Sequence, residues 1–355
     1  MRLNPTIARR ANFTDIFMWV VGGLLLLLIV VGSVLTLLKG TYDAHQWFDF
    51  AVFGIAQGTL YALIALGYTL VYGILRMINF AHSEVFMSGP FTAYFLADAL
   101  YKSGFLEANP IVGLAMVFAL SMAVSTLIAV LLERIAYRPL RNAPRLVPLI
   151  TAIGASFFLQ YAFRGLFGPS LKAYPELSIL AGTFNFGDFK LLKVHVVVII
   201  AAFLLMTGLY YIVQKTKIGK AMRAVSEDRE TAALMGIDVD RVIVVTFILG
   251  GALAGAAGVL YALVYRQVTF SMGFVPGIKA FTAAVLGGIG NIPGAMLGGI
   301  FLGLFESVGP SLFLDGLGIP APYQLKDVIA FSMLVLVLIF RPSGILGERL
   351  TQKKA

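Results

Sequence analysis

Long apolar stretches separated by short polar segments set the pattern of this chain. Ile16–Leu38 runs 23 residues without an ionisable side chain. A helix that crosses a bilayer needs ~20 apolar residues, so this stretch is long enough. Further apolar stretches fall at Ala51–Leu75, Phe80–Leu100, Ile111–Leu132, Val147–Phe167, Val194–Val213 and Val242–Tyr265. Phe274–Ile289 and Pro293–Leu312 are rich in glycine and meet at Gly290-Asn291-Ile292-Pro293-Gly294, and Leu325–Phe340 closes the series. The pattern predicts an all-α integral membrane protein, a polytopic helical bundle of about ten transmembrane helices. Phe274–Ile289 is the weakest of the ten, open to being broken or re-entrant. A cleaved signal peptide would carry an apolar core of only about 7–15 residues, so Ile16–Leu38 reads as a retained anchor.

The longest hydrophilic run breaks this pattern between two apolar stretches, over residues 214–241. Its ionisable residues are mixed in sign, with Lys215, Lys217, Lys220, Arg223, Arg229 and Arg241 against Glu227, Asp228, Glu230, Asp238 and Asp240. Ile218, Met222, Val225, Ala232 and Met235 recur at helical spacing, and Gly236 supplies a stop that tolerates positive φ. The expectation is one short amphipathic helix presented to a partner; a solvated connector is the bland alternative.

Composition and charge fix the compartment. The chain is 59% hydrophobic and 13% charged, against roughly 25% charged in soluble domains. Its net charge of +9 does not indicate nucleic acid, because the basic residues cluster between apolar spans. Arg134, Arg138, Arg141 and Arg145 face only Glu133, and Arg341, Arg349, Lys353 and Lys354 face only Glu348. Lys39–Asp49 and Lys102–Glu107 carry no basic excess. Ten spans with both termini cytoplasmic place each basic cluster inside, whereas nine would put the basic tail outside. There is no cysteine, and His45, His82 and His195 are too scattered to ligate a metal together.

Polar residues inside apolar spans are expensive and therefore informative. Asn79, His82 and Glu84 form the densest group, with Gln57 and Tyr61 earlier and Gln160, Arg164 and Glu306 later. Gln57, Tyr61, Asn79, His82 and Glu84 are candidates for a translocation pathway or gate. In the alternative, Asn79 caps the next helix at the membrane interface. Arg164 is expected near the outer boundary, where it snorkels. Gly54, Gly58 and Ala62, then Gly250, Ala254 and Gly258, then Gly290, Gly294 and Gly298, form small-residue ridges for close helix packing. No phosphate-binding loop, zinc-protease motif or nucleophile elbow occurs, so any ATP chemistry belongs to another chain.

Several stretches together carry a family resemblance. Gly67-Tyr68-Thr69-Leu70-Val71-Tyr72-Gly73 followed by Met77-Ile78-Asn79-Phe80-Ala81-His82 resembles the opening signature of LivH-type permeases, membrane subunits of ABC importers for branched-chain amino acids. Glu133–Pro139, Lys279–Gly290, Arg341–Gly347, Arg223–Asp228 and Ala232–Ile237 are similar to the same family. The resemblance implies an importer permease domain over residues 46–349, with an extra N-terminal transmembrane anchor over 1–45 and a basic tail over 350–355. It implies that Ser226, Glu227, Asp228, Arg229, Glu230, Ala232, Ala233, Leu234 and Gly236 couple the chain to an ATP-binding subunit. The general importer motif is E-A-A-x-x-x-G; here Thr231 stands at its first alanine, and no later Leu-Pro follows. The partners implied are a second, LivM-type permease, two ATP-binding subunits, a periplasmic amino-acid-binding protein and membrane lipid, in a bacterial inner membrane. No cofactor is implied for this chain, with ATP hydrolysed by the partners, and the chain is not itself an enzyme. Importers of urea or short amides resemble the same pattern. A stand-alone ion-coupled carrier is a further alternative, since the glycine-rich break at Gly290–Gly294 has the look of a broken helix.

Overall fold

The computed structural model describes residues 13–347 apart from Asn142, Arg145, Asp188 and Pro342. The basic residues Arg2, Arg9, Arg10, Arg349, Lys353 and Lys354 therefore lie outside the described residues, as does the tail 350–355. Among the described residues, eight helices are long and apolar enough to cross a membrane. They are α1 (Phe13–Lys39), α2 (Ala44–Leu75), α5 (Pro110–Leu132), α6 (Leu146–Phe167), α7 (Lys193–Lys215), α10 (Val239–Tyr265), α12 (Ile292–Gly309) and α13 (Lys326–Phe340), three of which gain a turn of tighter or looser helix at one end. α3 (His82–Lys102) and α11 (Phe274–Gly287) are further apolar helices, with the tiny α4 (Phe105–Ala108) between α3 and α5. The protein is a polytopic helical membrane protein.

α2 is the axis of the bundle. Asp43 and Gln46 close a reciprocal capping box at its start, with Asp43 Oδ1 accepting from the Gln46 N–H at 2.8 Å. From Gly54 onward nearly every residue is buried, Tyr61–Leu66 to 3% exposure or less. A helix buried all round needs other helices on all sides, and α10, α11 and α12 supply them. The closest approach is to α12. A Cβ placed on Gly303 would lie 2.3 Å from Gly58 Cα, so the two backbones touch where the first glycine ridge meets the last helices. The second ridge works through Gly258, where a Cβ would lie 2.6 Å from the Pro90 ring. Of the third ridge, Gly294 and Gly298 press on α11, while a Cβ on Gly290 would meet nothing within 4 Å.

Outside this core, α1, α5, α6, α7 and α13 present apolar side chains outward, among them Leu27, Ile111, Phe158 and Leu204. α1 docks on the far end of the chain. A Cβ on Gly32 would meet the Phe313 carbonyl, Lys39 Nζ donates to Gly316 O at 3.2 Å, and Trp19 packs edge-on against Phe340 at 5.4 Å.

The polar segments gather at two ends. One end, here called the basic end, carries Arg134, Arg138 and Arg141 together with residues 216–238. Two short antiparallel pairs stand at the other: β1 (Lys172–Ala173) with β4 (Gln267–Val268), and β2 (Thr183–Phe186) with β3 (Phe189–Leu192). Arg164 sits near that end, exposed, with its guanidinium 5.3 Å over the Phe270 ring.

Two helices depart from simple crossing. The start of α3 was open to an interface or an interior position, and its first residue, His82, sits against Gly67 and Gly250. Gly67 lies eight residues before the end of α2, hence about 12 Å inside the basic end. Residues 76–81 turn back into the bundle to reach it. α11 likewise begins in the interior, because Gly273 and Gly277 press on Ser83. With 14 residues it spans roughly 21 Å and is too short to cross alone.

Candidate functional site

At the basic end the polar run 214–241 forms two helices where one amphipathic helix was expected. α8 (Lys217–Glu227) starts at Thr216, whose hydroxyl accepts from the Gly219 N–H at 3.2 Å. α9 (Arg229–Leu234) starts at Asp228, whose Oδ1 accepts from the Glu230 and Thr231 N–H groups at 2.9 and 3.1 Å. Capping requires Asp228 to leave the helical region, and its φ of −150° breaks the run in two. Ser226 and Glu227 thus end α8, while Glu230, Ala232, Ala233 and Leu234 belong to α9.

α8 buries Met222 and Val225, as its spacing predicts, together with Gly219, while Ile218 is half-buried, and α9 buries Ala232. Met235 does not join that face: it is 78% exposed, and Leu234 beside it is 87% exposed. Gly236 follows at φ +82°, the left-handed stop expected of it. The pair of helices is tied firmly to the bundle. Arg229 Nη2 and Nε donate to Ile74 O at 2.5 and 3.1 Å, capping the last turn of α2. Arg76, itself at φ +56°, donates to Ser226 O at 2.9 Å. Beyond Gly236, Arg138 donates to Asp240 Oδ2 at 2.5 Å, and Arg141 bridges Asp240 and the buried Glu133. The resulting platform is rigid, with two uncovered apolar side chains and the exposed Glu230 on its outer surface.

The five pathway candidates separate into two clusters. Gln57 and Tyr61 belong to the first. Gln57 Nε2 donates to Glu306 Oε1 at 2.9 Å and lies 2.5 Å from the Tyr61 hydroxyl. The centre of this cluster is Lys279, whose Nζ is 2.6 Å from Glu306 Oε1 and 2.6 Å from Asp327 Oδ1. In the sequence Lys279 stands within a family motif, and Asp327 at the start of the last span gives no comparable signal. The signal was there for Lys279: it is the one ionisable residue in Phe274–Gly287, and an intramembrane lysine needs an intramembrane partner such as Glu306.

Asn79, His82 and Glu84 make the second cluster, about 15 Å further along α2. Asn79 does not cap α3: Ala81 holds the cap position with no side-chain bond. Instead Asn79 Oδ1 accepts from the Tyr137 hydroxyl at 2.5 Å. Tyr137 reaches inward because Glu133–Tyr137 is a π-helical turn that rotates the end of α5. His82 packs edge-on against Tyr68 at 5.0 Å and is 2% exposed. Glu84 is wholly buried; Oε1 accepts from Ser156 Oγ at 3.3 Å, and Oε2 has no partner. Both clusters lie inside the bundle, so the interface-capping alternative does not describe them. Among the described residues no group of histidines and carboxylates could hold a metal.

A many-spanned helical bundle with ion pairs inside it and a rigid polar platform at one end is the build of a membrane transport subunit. Comparison with known proteins gives the family. Residues 50–338 match the family described as "Branched-chain amino acid transport system / permease component". The chain is 44% identical over 316 residues to the high-affinity branched-chain amino acid transport system permease protein BraD of Pseudomonas aeruginosa, covering 88% of this chain and 99% of that protein. It is 42% identical to the corresponding LivH protein of Salmonella typhimurium over 88% of this chain and 98% of that one. A probable LivH permease of Methanocaldococcus jannaschii is 32% identical over 82% of this chain and 90% of its own length. The chain belongs to the branched-chain amino acid permease family.

Proposed function

We propose that this chain is the translocation subunit of an ATP-driven importer that takes up leucine, isoleucine and valine across a bacterial inner membrane. The carrying observation is the platform of α8 and α9: Leu234 and Met235 are uncovered on a helix that Arg229 ties to Ile74 O of α2. Exposed apolar side chains on a rigid, capped helix are the chemistry of a docking surface. The basic end is then cytoplasmic, as its arginines require, and each of two ATP-binding subunits receives one permease platform. ATP is bound and hydrolysed by those subunits, and this chain takes no cofactor. A second, LivM-type permease completes the pathway, and a periplasmic binding protein delivers the amino acid to the opposite end. Movement of the ATP-binding subunits reaches the bundle through Arg229 and the last turn of α2, about 12 Å along that helix from the second polar cluster.

The test is reconstitution of the complex in vesicles with Leu234→Asp, Glu230→Lys or Gly236→Val. A Cβ in the left-handed region costs ~1–2 kcal/mol, so Gly236→Val misplaces the end of α9. Each variant is expected to insert normally and to lose co-purification of the ATP-binding subunits, or binding-protein-stimulated ATPase together with leucine uptake. If all three keep the subunits, the stimulation and the uptake rate, the platform is not the docking surface. Leucine uptake by the unaltered complex without ATP or a binding protein would overturn the importer reading itself.

A further inference from the structure

The basic end holds a cavity that the family reading leaves unexplained. It measures about 310 Å³ and lies between the end of α2, the junction of α8 with α9, and the entry to α6. Small-ligand pockets begin at roughly that size. Its ionisable lining is Arg76, Arg141, Arg229 and the exposed Glu227, three guanidinium groups against one carboxylate. Arg141 is occupied by Glu133 and Asp240. Among the described residues Arg76 and Arg229 have no carboxylate partner. Each donates to a backbone carbonyl instead, Arg76 Nη2 to Ser226 O and Arg229 Nε and Nη2 to Ile74 O. A guanidinium carries five N–H donors, so Arg76 keeps its Nε and Nη1 groups and Arg229 its Nη1 group. Burial, then the charges of Arg141 and Arg76, lower the Arg229 pKa. The fold holds this cluster together against its own repulsion.

Guanidinium groups gathered around a cavity call for an anion, and phosphate suits them because the planar fork meets two of its oxygens at once. The position indicates a source. The wall at Ala143 and Pro148 leads into α6, whose early residues Leu146, Val147 and Ile150 are exposed and apolar. A basic cavity beside a lipid-facing helix end is where an anionic phospholipid sets its headgroup. A protein partner fits less well. On α9 the uncovered Leu234 lies about 140° around from Arg229, so the docking surface and the cavity face different ways.

We propose that this cavity is a phosphate-binding site with Arg76 and Arg229 as its ligands, filled by an anionic phospholipid headgroup or by free phosphate. Both arginines already cross between α2 and the platform, Arg76 to Ser226 and Arg229 to Ile74. A phosphate held by the two adds a third tie at the joint through which the platform moves the bundle. Arg141, fixed by its two carboxylates, contributes field rather than hydrogen bonds, and Glu227 on the rim opposes the anion. The site rests on the importer reading only for its placement in the cytoplasmic leaflet.

The experiment uses the purified complex of permeases and ATP-binding subunits in detergent. Retention of phosphatidylglycerol and of phosphatidylcholine is read by native mass spectrometry, and binding of radioactive inorganic phosphate by equilibrium dialysis. Phosphatidylglycerol held in preference to phosphatidylcholine makes lipid the source, and saturable binding of phosphate alone makes it the free anion. Arg76→Gln with Arg229→Gln should weaken whichever binds at least ~tenfold, since charge-assisted hydrogen bonds are lost. Lys220→Gln, which removes an exposed charge from α8 outside the cavity, should leave binding unchanged. Should the double variant fail to assemble, Glu227→Gln removes the opposing carboxylate and should tighten binding about threefold. Binding of neither probe, phosphatidylcholine held as firmly, or equal binding by the variants would overturn the site. Arginine variants that keep the lipid but shed the ATP-binding subunits would give the cavity to an acidic group of that partner, which also overturns it. Cysteine labelling that inverts the bundle sinks the cytoplasmic placement alone, because binding in detergent does not depend on orientation.

Discussion

The Lys279 ammonium lies 2.6 Å from Glu306 Oε1 and, at the same distance, from Asp327 Oδ1, joining α11, α12 and α13 through one buried charge. Lys279 and Glu306 are 3% and 1% exposed, so neither charge has water to fall back on. Removing one partner of such a pair leaves the other uncompensated, which costs about 3–5 kcal/mol, whereas removing both is far milder. Lys279→Met should therefore lower the thermal midpoint of the purified protein sharply, and Lys279→Met with Glu306→Gln should recover part of the loss. Equal damage from the single and double variants would mean that the pair is not what holds the three helices.

The contact of α2 with α12 depends on hydrogen atoms where side chains usually stand. Gly303→Ala puts a methyl group 2.3 Å from Gly58 Cα, and backbone cannot turn aside as a rotamer can. Overpacking of this kind costs roughly 1–3 kcal/mol. Gly208 on α7 has nothing within 4 Å of its added Cβ, so Gly208→Ala should change stability by less than ~1 kcal/mol. Comparing the two in one unfolding assay separates close packing from helix propensity.

The start of α9 should respond to pH through Asp228. The Thr231 backbone N–H, then the Thr231 hydroxyl, hold its carboxyl below the usual range. A carboxyl lowered by folding stabilises fully above its unfolded value of about 3.9 and loses that effect as pH falls through the lower folded value. Amide exchange of residues 229–234, corrected for intrinsic rates, should thus be flat from pH 5 to 8 and rise only in acid. Asp228→Asn should abolish the acid step, and an acid step that survives it would assign the effect to another group.

Orientation can be read with single cysteines, since the chain has none of its own. In intact cells an impermeant thiol reagent should reach a cysteine at Asn185, in the β2–β3 pair, and fail to reach one at Ala143, in the arginine-rich segment. The reverse labelling would invert the bundle.

Much of this was legible from hydropathy because the bilayer imposes it: each of the ten apolar stretches became a helix. What the sequence hid was depth. Hydropathy marks which residues are apolar and is silent on where along the membrane normal a helix starts. α3 therefore reads as an ordinary crossing, α11 betrays itself only by its shortness, and the group at Asn79–Glu84 could be placed at an interface as readily as in the interior. The platform failed differently. The apolar spacing from Ile218 to Met235 fits one helix, but Asp228 prefers to cap, and its own hydrogen bonds override the period. Cross-bundle partners such as Lys279 with Asp327, or Tyr137 with Asn79, lie 48 and 58 residues apart in sequence and follow from packing alone.

The docking of α1 on Phe313, Gly316 and Phe340 has a consequence for how the protein is made. Helices leave the ribosome in order, at about 5–20 residues per second. The first helix enters the lipid before any of its contacts exist, and its seat is finished only when the last helix has been synthesised, on the order of tens of seconds later. Until then it must stay in the bilayer on hydrophobicity alone, which its uninterrupted Leu24–Val31 segment is suited to do. Its docking is thus the closing event of biogenesis, and a chain arrested before Phe313 would leave that helix adrift in the membrane.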